Sequence, residues 1–282
     1  MADPLERQAN IDAGTVAAFG DEWSRFDQAR LDAAELEQHF DRYFGIFPWE
    51  VLPQGAEGFD MGCGSGRWAR LVAPRVGRLH CIDPSPAALG AARRMLAGAT
   101  NVAFHEAGVD AAPLAPASQD FGYSLGVLHH VPDTAAALAA CARLLKPGAP
   151  FLLYLYYRFD NRPAWFRALW QGSELLRAAI SRLPAGPKAL ATDLIALLVY
   201  WPLARFSALV ERAGLDPAPL PLSYYRNASL FTMRTDSRDR FGTPLEQRFT
   251  HAEIEAMMAE AGLGDIRFSE REPYWVALGF RR

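Results

Sequence analysis

Two stretches of this 282-residue sequence hold residues whose types and spacing could do chemistry. The first is DMGCGSGRWARL, from Asp60 to Leu71, in which Gly62, Gly64 and Gly66 recur at every second position. A glycine-rich turn between a strand and a helix brings backbone N–H groups and a helix N-terminus close to a ligand. Asp60, two residues ahead of the first glycine, is unfavourable for a pyrophosphate and suits a ligand with a cationic amine. Asp83 closes the next apolar run, 17 residues after Gly66. Its two carboxylate oxygens match the vicinal hydroxyls of a ribose. The second stretch is LGVLHHVPD, which supplies His129 and His130. Histidine exchanges protons near neutral pH. As a general base it would add roughly 10²–10⁴-fold wherever an acceptor hydroxyl must lose its proton.

The elements that must position these groups can be read from the pattern around them. From Phe59 on, short apolar runs (GFDMG, RLHCID, NVAFHE, FGYSLGVL, FLLYLYY) alternate with helical stretches such as SPAALGAARRMLAG and DTAAALAACARLL. Such alternation implies right-handed βαβ crossovers and a mostly parallel sheet covered on both faces. Both candidate stretches then fall at strand ends, where open α/β sheets bind ligands. Residues up to about Pro48 read as helical, with Phe19, Trp23 and Phe26 on one face. From about Arg158 to Arg240 the alternation stops and the sequence is helical and irregular. Helical periodicity returns in THAEIEAMMAEAGL, with Thr250 as N-cap. DIRFSE and YWVALGF, separated only by REP, predict a final antiparallel pair.

Taken together, DMGCGSG, IDPS, SLGVLHHVPD and LLKPG resemble the class I S-adenosylmethionine-dependent methyltransferases. The resemblance covers roughly residues 55–157 and the closing strand pair. It implies an α/β, Rossmann-like sheet of seven strands in the order 3-2-1-4-5-7-6, the last strand antiparallel. It also implies S-adenosyl-L-methionine as cofactor. Carried onto this sequence, Gly62, Gly64 and Gly66 approach the methionine part of the cofactor, with Asp60 anchoring it through the loop and the amine. Asp83 holds the ribose, Val109 borders the adenine by its backbone, and Asp110 is a further adenine contact. Cys63, Pro84 and Leu125 complete the cofactor set. Of the histidine pair, His129 is expected to face the substrate and act as base, and His130 to pack at the following helix start.

The implied organisation is an N-terminal helical lid (1–48), a cofactor-binding core (49–157 and 247–282) and a substrate-cap insertion (158–246). Phe19 and Trp23 could form the lid over the cofactor. Tyr156 and Tyr157 end the fifth strand at the pocket rim. Tyr225, Arg226 and Arg240 lie in a phenol- and guanidinium-rich stretch suited to an anion or a sugar. In PAWFRALW, Trp165, Phe166 and Trp170 read mainly as cap core.

Composition limits the partners. The formal charge is −3, and residues 158–248 hold 13 Lys/Arg against 8 Asp/Glu, which leaves the remainder acidic. This argues against a general nucleic-acid binder and for an anionic group near the insert. The principal expectation is O-methylation of a sugar or another small, polar, anionic metabolite. The alternatives are a lipophilic quinone or lipid-linked acceptor and cofactor binding without catalysis. The run LIALLVYWPLA, Leu194 to Ala204, admits peripheral membrane contact but is shorter than the about 20 residues a span requires. Three cysteines without a CxxC pair, and a charged start, point to a reduced, cytoplasmic protein. Six scattered histidines and no HExxH give no expectation of a metal.

Overall fold

The computed structural model describes residues 10–25 and 33–282. The N-terminal part gives α1 (Ala13–Arg25) and α2 (Ala33–Phe44). Strand and helix then alternate: β1 (Glu57–Met61), α3 (Ala69–Val72), β2 (Arg78–Asp83), α4 (Pro86–Met95), β3 (Val102–Glu106), β4 (Phe121–Leu125), α5 (Thr134–Leu144) and β5 (Pro150–Tyr154). Four helices follow: α6 (Ala164–Ile180), α7 (Ala185–Ile195), α8 (Trp201–Arg212) and α9 (Leu230–Gly242). The chain closes with α10 (His251–Glu260), β6 (Leu263–Phe268) and β7 (Val276–Arg281).

The seven strands lie in the order β3-β2-β1-β4-β5-β7-β6, with β7 antiparallel to both neighbours. Residues on alternate strand positions feed two cores. Phe121, Tyr123, Leu125 and Leu152 meet α2, α3 and α4 on one face. Phe59, Met61, Phe151 and Leu153 meet α5 and α10 on the other. Helix starts are fixed locally. Ser85 caps α4, whose first residue is Pro86, and Asp133 caps α5. Thr250 and Glu253 form a reciprocal capping box on α10.

Several sequence expectations need correction. α2 is part of the core and not of a lid, because Leu36, Phe40 and Phe44 are buried against the sheet. Trp23 lies in α1 but its side chain, like all of Phe26, falls outside the described residues. The connection between β6 and β7 runs from Ser269 to Trp275, longer than REP. Its aromatic end is used elsewhere: Trp275 donates through Nε1 to Asp160, and Tyr274 reaches the central cavity. In the cap, α7 and α8 join through a π-helical turn, Ala196–Tyr200, into one helix from Ala185 to Arg212. At 28 residues that helix is long and apolar enough to cross a membrane by length and composition, which the count of consecutive apolar residues missed.

Candidate active site

The site is assembled at the C-terminal ends of β1, β2, β4 and β5, where the loops meet the cap. A cavity of about 600 Å³ runs from the glycine loop into the cap. Gly62, Cys63, Gly64, Asp83, Pro84 and Leu125 line its inner end, and Tyr156, Tyr157, Tyr225, Arg240 and His130 line the cap end. A smaller cavity of about 50 Å³ lies between Met61, Ile82, Val109 and Leu128, and shares Gly62, Pro84 and His130 with the larger one.

Gly62, Gly64 and Gly66 all have positive φ, of 79°, 54° and 79°. The loop is held from below by Asp83, whose Oδ2 accepts from the Gly64 N–H (3.0 Å) and whose Oδ1 accepts from the Ser85 N–H (2.9 Å). Each oxygen keeps a further lone pair, so a diol can still be received at the cavity wall. Burial pushes the Asp83 carboxyl up to about 6. At Gly62 a Cβ would fall 2.3 Å from Val127 Cγ1, so the loop lies directly on the β4 turn. Gly66 does not line the cavity: its Cβ position faces Ala92 and Leu96, and it lets the loop pack on α4.

Asp60 does not line the cavity either. It is buried beneath the loop, its Oδ2 has no hydrogen-bond partner among the described residues, and burial pushes its carboxyl up to about 8. A cationic ammonium over the loop would relieve that unpaired carboxylate. Together with the apolar slot at Val109, a residual diol acceptor at Asp83 and this orphan oxygen fit S-adenosylmethionine. Asp110 is directed elsewhere, accepting from the Asn10 N–H at 3.2 Å.

The histidine pair divides against expectation. His129 is fully buried and absent from the cavity wall, with neither ring nitrogen partnered. Its ring packs between Tyr156 and His130, at centroid distances of 3.9 and 4.0 Å. Burial drives its imidazole well below the usual range, so it stays neutral. The loop turns it inward because Gln247 grips both sides: its N–H donates to the His129 carbonyl (3.0 Å) and its Nε2 to the Val131 carbonyl (2.7 Å).

His130 reaches both cavities. Its Nδ1 donates to the Leu245 carbonyl at 2.7 Å, which leaves Nε2 as the acceptor. Nε2 lies 3.6 Å from Asp239 Oδ1, and neither atom has a hydrogen-bond partner among the described residues. Tyr156 donates its hydroxyl to Asp239 Oδ2, and Phe19 of α1 meets the His130 ring edge-on at 5.0 Å. Burial raises the Asp239 carboxyl, with His130 and Tyr156 opposing that rise. Nothing in the sequence pattern marked Asp239 for this place.

The guanidinium bed expected for an anion is already neutralised. Arg226 lies outside the cavity and pairs with Glu211 at 2.8 Å. Arg240 faces the cavity but is held by Glu174 and Glu246. Arg248, not anticipated, also pairs with Glu246 (2.8 Å) and lies over the rings of Tyr156, Phe159 and Trp170. Phe166 and Trp170 line the cavity, and Trp165 stands 53% exposed.

Residues 59–153 match the family model described as methyltransferase domain. The chain is 29% identical over 181 residues to a ubiquinone biosynthesis O-methyltransferase of Sodalis glossinidius, covering 61% of this chain and 69% of that one. It is 30% identical over 159 residues to the protein of the same description from Paracidovorax citrulli, covering 55% and 65%. An O-methyltransferase family protein from Burkholderia thailandensis superposes with a TM-score of 0.51 at 15% identity, over 87% of this chain and 55% of that one. At that identity the likeness speaks for the fold. With its sheet order, glycine loop and matched domain, the chain is a class I S-adenosylmethionine-dependent methyltransferase.

Proposed function

We propose that the chain O-methylates a lipophilic, hydroxylated aromatic compound of the quinone-precursor type, with His130 as the proton acceptor. The observation that carries this reading is the pair of unpartnered, buried atoms in the cavity wall, His130 Nε2 and Asp239 Oδ1, 3.6 Å apart. When bound, S-adenosylmethionine supplies an electrophilic methyl group on a sulfonium, with a neutral thioether as leaving group. His130 takes the acceptor's hydroxyl proton on Nε2 as the new C–O bond forms. The resulting imidazolium is flanked by the Asp239 carboxylate and by the Leu245 carbonyl, so its charge is met on both nitrogens. Tyr156 fixes the Asp239 rotamer from the far side. Asp83 receives the ribose hydroxyls, and Asp60 favours the amine.

The relatives' descriptions name ubiquinone biosynthesis, which supports the lipophilic alternative over the sugar or anionic one. The cap end of the cavity supports it too, since tyrosines, Phe166, Trp170, Ile195 and Val199 form its wall and the arginines there are already paired. Turnover of catechols that differ only in the length of an attached prenyl tail tests this. Rising kcat/KM with tail length is expected. Equal turnover of tailed and untailed acceptors would overturn the lipophilic assignment.

A further inference from the structure

The outer side of the cap carries large apolar side chains too. Among the described residues, sixteen large hydrophobic side chains stand exposed, and all but Val51 lie between Trp165 and Leu215. On α6, Trp165, Leu169 and Leu176 share one stripe, with Leu175 beside it at 79% exposure. On the helix from Ala185 to Arg212 the exposed set continues through Leu190, Leu194, Leu198, Phe206 and Leu209. At about half exposure, side chains of this size present together on the order of 1,000 Å². The largest apolar patch on a typical monomer is roughly 300–600 Å².

We propose that this face seats the chain on an anionic lipid bilayer, with the two cap helices lying in the plane of the headgroup–acyl boundary. The proposal deepens the lipophilic-acceptor reading and rests on it for its purpose: an acceptor would enter the cavity from the acyl region. Two observations favour a bilayer over a second protein. Leu169, Leu176, Val199 and Leu203 belong both to the cavity wall and to the exposed face. A protein seated there would stopper the cavity, whereas acyl chains would prolong it. Charge agrees as well. The cap region has 13 basic residues against 8 acidic ones, and Arg167, Arg182 and Arg212 are exposed on or beside these helices. Anionic headgroups complement them.

The long helix lies on the membrane and does not cross it. Its inner side buries Ala196, Tyr200 and Ala204, and these form the cap's own core with Met233 and Phe241 of α9. Crossing would strip that core, so the arrangement is that of an interfacial amphipathic helix.

The test is flotation with vesicles of phosphatidylcholine and phosphatidylglycerol in equal parts, without cofactor or acceptor. The full chain should float, and pure phosphatidylcholine should hold it more weakly. Leu175→Glu with Leu198→Glu replaces two exposed residues that do not line the cavity. This variant should lose vesicle partitioning by about tenfold or more, the scale of withdrawing a leucine from an apolar phase, while its melting curve is unchanged. A wild-type chain that stays at the bottom of the gradient overturns the proposal. So does a variant that floats like wild type, or a lipid-free dimer that the two glutamates convert to monomer. Turnover of a short soluble catechol, measured separately, reports on the O-methylation reading, so the two can fail independently.

Discussion

Asp239→Asn isolates the charge of one atom in the cavity wall. Asparagine has the shape of aspartate, its Oδ1 can still accept the Tyr156 hydroxyl, and its amide N–H can donate to His130 Nε2 across the present 3.6 Å gap. The fold then loses no hydrogen bond and sheds a buried carboxylate, so stability should hold or rise. The lone pair that would take the acceptor's proton becomes occupied, and the imidazolium loses its counter-charge. The whole general-base contribution is therefore at risk, and kcat should fall by roughly 10²–10⁴. His129→Ala should behave in the opposite way. It removes a ring buried between Tyr156 and His130. Stability should drop by about 2–4 kcal/mol, as for other large-to-small core changes, with only an indirect effect on rate. The assay is steady-state methyl transfer over a pH series, paired with urea denaturation of each variant. Burial raises the Asp239 carboxyl, so wild-type kcat should rise with pH as that carboxyl ionises and then flatten, because only the carboxylate can meet the imidazolium's charge. Asp239→Asn within about threefold of wild-type kcat, or His129→Ala with an intact fold and a rate loss of a hundredfold, would refute the assignment of the base to His130.

Other residues give sharper expectations than the sequence allowed. Asp83→Ala should weaken S-adenosylmethionine binding in calorimetry and also destabilise the fold, because the Gly64 and Ser85 N–H groups lose their acceptor at about 1–3 kcal/mol each; wild-type stability in urea would contradict this. Gly62→Ala places a methyl 2.3 Å from Val127 at a φ of 79° and should cost about 2–4 kcal/mol. Val127→Ala added to it should recover part of the loss, and a melting curve unmoved by Gly62→Ala would reject the close approach. The cofactor-free protein should lose stability as pH rises from about 7.5 to 8.5. Asp60 titrates at about 8 in the fold, far above its ordinary 3.8, so its contribution is complete at low pH and is lost as pH rises through 8. His39, lowered to about 4, and His129 are already neutral in both states in that range. Saturating S-adenosylmethionine should flatten the slope, and stability that climbs across this window without it would refute the buried-acid argument.

The core and the position of the glycine loop were legible because their signals are local. Gly62, Gly64 and Gly66 sit at fixed offsets within one turn and Asp83 ends the next strand, while their part in holding the cofactor came from the resemblance. The groups around the proposed base were not legible in this way. Which histidine faces the cavity is decided by Gln247, Leu245 and Asp239, more than a hundred residues further along the chain. Periodicity cannot show that a helix α9 carboxylate meets a loop after β4. The same distance effect misled the charge argument: Arg226 and Arg240 look like an anion bed in sequence, yet Glu211, Glu174 and Glu246 neutralise them in space. Trp165, Phe166 and Trp170 were read mainly as cap core because helical spacing gives a stripe but not what the stripe faces; Trp165 stands exposed, and Phe166 and Trp170 line the cavity.

The central claim is that a proton-accepting pair in an apolar, cap-covered cavity directs the methyl group to an aromatic hydroxyl. One competition measures it directly: the chain is given S-adenosylmethionine with a ¹³C-labelled methyl group, a prenylated catechol and a soluble sugar in one vessel, and NMR reads where the label arrives. A single aromatic methoxy signal, suppressed in Asp239→Asn, is expected. Label on the sugar, or on a ring carbon of the catechol, would contradict it.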